Sequence, residues 1–201
     1  PSGAAAGELP AAVDAGALRA LAPGAVIAAG DAAWSVLHVP GHAPDHLALH
    51  HHGSGMLFTG DLVLRHRSTL PALEPRTADG RPRTLDDLIA SLLALGRIDA
   101  SILLPGHGAP IRAHRVLVAR RLADIRASLG AVRSVVAARP RSLWDVACHL
   151  GGPVDDAGDA SARLALAVAC ADWLVERGWA DRHIRNGVVF LERRAGAGRG
   201  R

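Results

Sequence analysis

The chain has 201 residues, 49% of them apolar and 21% charged, which is enough for one or two domains with a buried core. It has no Lys: its 23 basic residues are all Arg, and the net charge is +4. No apolar run reaches the roughly 20 residues of a membrane-spanning helix, and with no Tyr and 2 Phe the chain offers few platforms for stacking nucleobases.

Residues 1–24 are rich in Ala, Gly and Pro, and 11–21 is consistent with a short helix. Residues 24–28 and 34–39 read as strands joined at Gly30-Asp31. Two more strands, 47–51 and 56–59, turn through His52-Gly53-Ser54-Gly55, which places the run His50-His51-His52 in an exposed turn. Residues 65–82 hold three Pro and no periodicity, so a loop is expected. Thr84 is placed to cap a helix whose Leu85, Leu88, Ile89, Leu92 and Leu93 follow the 3.6-residue period. Residues 102–104 read as a further strand.

Beyond Gly108 the pattern turns helical. Residues 109–138 form a long Arg-rich helix that Pro140 breaks. Ser142-Leu143-Trp144-Asp145 has the form of a capping box, opening a helix that stops near Gly151-Gly152. Residues 153–159 read as an acidic loop and 161–177 as a third helix, with Leu164, Val168, Ala171 and Val175 on one face and Gly178 as its stop. Residues 179–184 and 188–191 flank Asn186-Gly187 as a hairpin. Trp144, Leu164, Val168, Leu174 and Trp179 are the expected core of this half. Three helices followed by a hairpin resemble a winged helix. Residues 1–100 hold 7 Arg against 10 acids and residues 101–201 hold 16 against 9. A basic half suggests nucleic acid as a partner, but helix 161–177 is poor in cations for phosphate contact, so a packing role is favoured. Cys148 and Cys170 fall in apolar helical patterns and read as buried thiols in a reducing, cytoplasmic setting.

Three stretches carry the chemistry: Val39-Pro40-Gly41-His42-Ala43-Pro44-Asp45-His46, Leu57-Phe58-Thr59-Gly60-Asp61 and Leu103-Leu104-Pro105-Gly106-His107-Gly108. Each is an apolar run that stops at a Gly beside a His or an Asp. The strand fixes the backbone, the Gly allows a sharp turn, and the side chain projects from the strand end. Imidazole nitrogen and carboxylate oxygen suit zinc. His46 reads either as a packing residue or as a group that orients the ligands from behind, and Asp45 as a cap of the local turn.

In this order and spacing the three motifs resemble the later motifs of the metallo-β-lactamase-fold hydrolases. The resemblance implies an α/β fold. Residues 1–111 correspond to the C-terminal half of the family's αββα sandwich, 112–192 to a small winged-helix-like α+β domain, and 193–201 to a disordered tail. It further implies two Zn²⁺ ions, with His42 on one, His107 on the other and Asp61 bridging them as the catalytic carboxylate. Water activated between the ions attacks an ester, thioester or similar bond of a small-molecule substrate. A metal-dependent ribonuclease and a metal-free binding protein are the alternatives. The family's H-x-H-x-D-H string is absent from the chain. The expectation is therefore of the C-terminal part of a longer protein, which alone binds zinc poorly, is inactive and exposes the inner face of its sheet.

Overall fold

Alternating apolar residues lay the first half of the chain out as a sheet, and the 3.6-residue pattern winds most of the second half into helices. The computed structural model describes residues 20–73, 83–151 and 157–197. The elements run β1 (Val26–Ala29), β2 (Ala32–His38), β3 (Leu47–His51), β4 (Met56–Gly60), α1 (Thr84–Arg97), β5 (Ile102–Pro105), α2 (His114–Ala138), β6 (Arg141–Ser142), α3 (Leu143–Gly151), α4 (Ala157–Glu176), β7 (Ala180–Arg185) and β8 (Val188–Arg193).

The first sheet is five-stranded in chain order. β1 to β4 form an antiparallel meander, and β5 joins β4 in parallel after the α1 crossover. Leu57, Leu103 and Ala48 meet Leu88, Leu92 and Leu95 of α1 in one core, which Val118 of α2 also enters. Val36, Leu49, Phe58 and Leu104 are in register across the strands and so share the opposite face. That face is only partly covered. Val36 is fully buried, Leu49 and Leu104 are half-buried, and Phe58 is 44% exposed with its ring 5.2 Å from Trp34.

The second core gathers Leu129, Val132 and Val136 of α2, Val146 and Ala147 of α3, Cys170, Ala171 and Leu174 of α4, and Leu191 of β8. Its sheet has the order β6-β8-β7. The expected capping box is present and reciprocal: the Asp145 amide donates to Ser142 Oγ at 3.0 Å and the Ser142 amide to Asp145 Oδ2 at 3.3 Å. The hairpin turns at Asn186 and Gly187 with φ of 52° and 76°, the left-handed pair that a tight hairpin requires. Among the described residues no helix is long and apolar enough to cross a membrane.

Several expectations change. α2 starts at His114, not at 109, because Ile111 is held in an antiparallel bridge to Leu103, its amide 2.9 Å from the Leu103 carbonyl. Thr84 is not the cap of α1. It is the first helical residue, the cap position falls on Arg83, and neither side chain caps the turn. α4 reaches back to Ala157, into the expected acidic loop. Of the expected tail, Arg193 ends β8, Arg194 pairs with Asp181 at 2.7 Å, and the Ala197 amide returns to the Arg194 carbonyl. The helix expected over 11–21 lies outside the described residues except for Ala20 and Leu21, which are irregular, as does the loop segment 74–82. Trp144 is 48% exposed. The inward stripe of α3 is Leu143, Val146, Ala147 and Leu150, and Trp144 stands one position off it.

His50 is a further correction. It lies within β3 opposite Leu57, 7% exposed, its ring 4.2 Å from that of His52. The period-two alternation that carries Ala48 inward carries His50 inward too.

Two outcomes follow from these cores. Leu174→Ala removes a side chain that is 1% exposed and lowers stability by about 2–5 kcal/mol, the half-buried Leu164→Ala costs less, and Trp144→Ala changes little; urea unfolding ranks the three. Burial first, then His52 and His51, lowers the pKa of His50 below 6.5. The fold therefore favours the neutral ring, and the stability this gives is present above pH 6.5 and lost as pH falls. The urea midpoint is expected to drop between about pH 7.5 and 5.5, and to drop less in His50→Gln.

Candidate active site

The three motif glycines bring the three motif side chains together by allowing contacts that a Cβ would block. Gly41 follows β2 with φ of 128°, and a Cβ there would lie 2.4 Å from Leu88 Cα of α1. The Ser91 hydroxyl donates to the Pro40 carbonyl at 2.7 Å, so the loop holding His42 is pressed on α1 at two points. Gly60 ends β4 with φ of 49°, and its Cβ would strike His46 Nε2 at 2.4 Å. Gly106 follows β5, and its Cβ would sit 2.6 Å from Asp61 Oδ1. The Gly106 amide donates to the Gly60 carbonyl at 2.8 Å, which ties the ends of the two parallel strands.

His42, Asp61 and His107 thereby share one end of the sheet. Asp61 Oδ2 lies 3.8 Å from His42 Nε2 and 3.5 Å from His107 Nε2. The Asp61 side chain is 20% exposed, His42 40% and His107 67%. His42 Nδ1 donates to the Leu70 carbonyl at 3.2 Å, which leaves the Nε2 lone pair facing the carboxylate. That is the tautomer a metal-ligating imidazole needs, with its other nitrogen held by a carbonyl. Among the described residues Asp61 Oδ1 is buried without a hydrogen-bond partner. Two ligand atoms on one tetrahedral zinc stand about 3.4 Å apart, so both Asp61–His separations are close to those of ligand pairs. Among the described residues no three His, Cys, Asp or Glu side chains form a ready metal site. Each His faces Asp61 separately.

His46 stands behind these residues, edge-on to His42 at 5.7 Å between ring centroids, with Nδ1 buried and unpartnered among the described residues. Burial and then the neighbouring His42 lower its pKa, against the pull of Asp61 and Asp45. His46 is thus favoured as a neutral spacer that fills the gap beside Gly60. Asp45, expected to cap the turn, is exposed and caps nothing among the described residues. His38 Nε2 braces the loop by donating to the Pro44 carbonyl at 2.8 Å. His50, His51 and His52 lie at the other end of the sheet, where His50 pairs with Leu57 and His51 with Met56.

Sequence reasoning expected a loop over 65–82 but not the contacts that hold its first part against the site. The Thr69 hydroxyl lies 2.6 Å from the Asp61 carbonyl and 2.9 Å from that of Leu62. The Ala72 amide donates to the Gly41 carbonyl at 2.8 Å. Arg121 of α2, 7% exposed, reaches the Leu64 and Arg65 carbonyls at 2.9 and 3.1 Å. The available signal was an Arg on the apolar stripe that Val118, Leu122 and Ile125 continue.

Residues 6–107 match the sequence pattern of the metallo-beta-lactamase superfamily, just over half of the chain. The chain belongs to that superfamily. Over 118 residues it is 38% identical to a probable metallo-hydrolase, YqjP, of Bacillus subtilis (strain 168), which covers 58% of this chain and 37% of the relative. It is similar to a beta-lactamase domain protein from Burkholderia ambifaria, with a TM-score of 0.78 and 28% identity over 87% of this chain and 52% of that one. A metallo-beta-lactamase family protein from Thermus thermophilus is similar at a TM-score of 0.74 and 26% identity, over 87% and 54%. The chain spans about half the length of these solved relatives. A match over 87% of the chain takes in the α2–β8 half as well as the first sheet. Members of the superfamily typically bind metal ions, often zinc.

The packing at Gly41 generates a stability prediction. A positive φ in a non-Gly residue costs about 1–3 kcal/mol, and at Gly41 the added Cβ also meets helix backbone at 2.4 Å. Gly41→Ala is expected to destabilise more than Gly108→Ala, whose Cβ meets nothing within 4 Å at φ of 87°. Equilibrium unfolding of the two variants measures the difference.

Proposed function

We propose that this chain contributes to a zinc-dependent hydrolase acting on an ester, thioester or similar bond of a small molecule, with Asp61 shared by two ions, His42 on one and His107 on the other. The observation that carries this reading is Asp61 Oδ2, which faces the Nε2 atoms of both His at 3.8 and 3.5 Å. Asp61 Oδ1, without a hydrogen-bond partner among the described residues, and the Leu70 carbonyl, which leaves His42 Nε2 unprotonated, support it. Zinc, when bound, lowers the pKa of a coordinated water to about 7 and polarises a carbonyl oxygen. The chain's own residues hold and orient. Gly106 admits the Asp61 carboxylate against the backbone, His46 keeps water from its rear, and α1 fixes the His42 loop.

Residues 112–192 are read as a winged-helix-like domain. Its order of helix, short strand, two helices and hairpin, with β8 between β6 and β7, supports this. Its role here is packing. α4, the helix that would enter a DNA groove, instead sets Ala169, Asp172, Trp173 and Glu176 beside Arg83 and Asp86 of α1. A cytoplasmic setting accords with two cysteines that form no disulfide.

The chain's own donors give each ion two: His42 with Asp61, and His107 with Asp61. Zinc held by two side chains stays largely hydrated, so the 201-residue chain is expected to bind it weakly and to show no turnover. Elemental analysis after dialysis and assays on small esters and thioesters test this; tight zinc with turnover would show that other residues complete the site. In a longer protein that contains this chain, Asp61→Ala and His107→Ala abolish hydrolysis and lower bound zinc, and His50→Ala does neither. Strongly salt-dependent RNA binding with RNA cleavage would favour a ribonuclease instead.

A further inference from the structure

The segment 62–72 links the two motif residues that face each other. At one end it continues from Asp61, whose carbonyl Thr69 holds at 2.6 Å. At the other its Leu70 carbonyl accepts from His42 Nδ1 at 3.2 Å, and the Ala72 amide donates to the Gly41 carbonyl at 2.8 Å. The middle of the arch is anchored from outside the sheet by α2. Arg121 Nη2 donates to the Leu64 and Arg65 carbonyls at 2.9 and 3.1 Å. Its Nη1 donates to Asp124 Oδ2 at 2.9 Å and reaches Ser68 Oγ at 3.4 Å, while the Ser68 hydroxyl donates to the same carboxylate at 3.3 Å. An Arg fork presents several N–H groups in fixed directions, so one side chain pins three parts of the arch at once.

A buried guanidinium is costly to keep unless its hydrogen bonds are met; those of Arg121 are made from Nη1 and Nη2, while Nε is buried without a partner among the described residues. An apolar residue on this stripe would pack as Val118 does. What the charge adds is the orientation of the arch, and two residues beyond Ser68 the arch delivers the Leu70 carbonyl to His42. We propose that Arg121 is a positioning residue for His42: by anchoring residues 64–68 it places the Leu70 carbonyl that holds the His42 proton on Nδ1 and leaves Nε2 free as a ligand atom. This rests on the metal-site reading for its use, but the tautomer itself is a property of the metal-free chain.

The test separates the two. In the zinc-free chain, ¹⁵N correlation spectra of the His42 ring are expected to show a single tautomer protonated at Nδ1. Arg121→Met is expected to give a mixture of tautomers and to weaken Zn²⁺ binding by about 10–100-fold. Arg121→Lys, which retains the charge and reaches one carbonyl, recovers part of both effects. Asp124→Asn loosens Arg121 from the surface side, where Asp124 is 43% exposed, and carries the test if Arg121→Met does not fold. It should shift the tautomer in the same direction by a smaller amount. A folded Arg121→Met or Asp124→Asn whose His42 spectrum and zinc affinity equal those of the parent overturns the proposal, as does a parent chain protonated at Nε2. If the tautomer shifts as expected but even the parent takes up no zinc, the positioning role stands and the metal-site reading fails.

Discussion

Helix α1 is buried on two sides, and the rest of the arrangement depends on that packing. Leu88, Leu92 and Leu95 close the core over β3, β4 and β5, while Leu85 and Ile89, one face further round, enter the core built by α2, α3 and α4. Ala90, Leu93, Ala94 and Arg97 form its exposed side, and with apolar residues on two other faces its rotation is set by both cores together. The same helix is the floor on which Gly41 rests and to which Ser91 ties Pro40. The burial that stabilises the molecule therefore also sets the height of His42 above the sheet.

α2 plays a complementary part. Its first turns contribute Val118 and Leu117 to the first core and its later turns Leu129, Val132 and Val136 to the second. Both helices thus span the two cores. The charged contacts between α1 and α4 follow the same seam: Arg83 with Glu176 at 2.9 Å and Arg177 with Asp86 at 2.7 Å. Ion pairs this exposed contribute little stability, so the apolar insertion of Leu85 is the firmer link and the charges select the register in which α4 lies.

Around the site the decisive quantity is distance at backbone level. Gly106 lets the end of β5 approach that of β4 until a carboxylate oxygen of Asp61 fits against the chain, out of water and without a partner among the described residues, and Gly60 leaves room for His46. A buried, unpaired carboxylate oxygen costs free energy in a merely structural role, which is why it points to a ligand.

How much of this was legible depended on the range of the interaction. Strand and helix periodicity, the Ser142–Asp145 box, the Asn186-Gly187 turn and the three Gly-bounded motifs are local, and each was readable because its cause lies within a few neighbouring residues. His42, Asp61 and His107 could be nominated from their motifs, and the family with them. The burial of His50 and the exposure of Trp144 also had local causes, the alternation of β3 and the apolar stripe of α3, whereas the start of α2 at His114 was not local: it was settled by Leu103, which holds Ile111 in a bridge. The clasp of Arg121 on carbonyls more than fifty residues away was out of reach for the same reason. By itself the sequence determined which elements form and which residues can be nominated for chemistry at their ends, since backbone propensity and side-chain type act over short range. Only the tertiary structure decided which nitrogen of His42 faces Asp61 and what holds it there, because that hydrogen bond exists only once the arch, α1 and α2 have packed together.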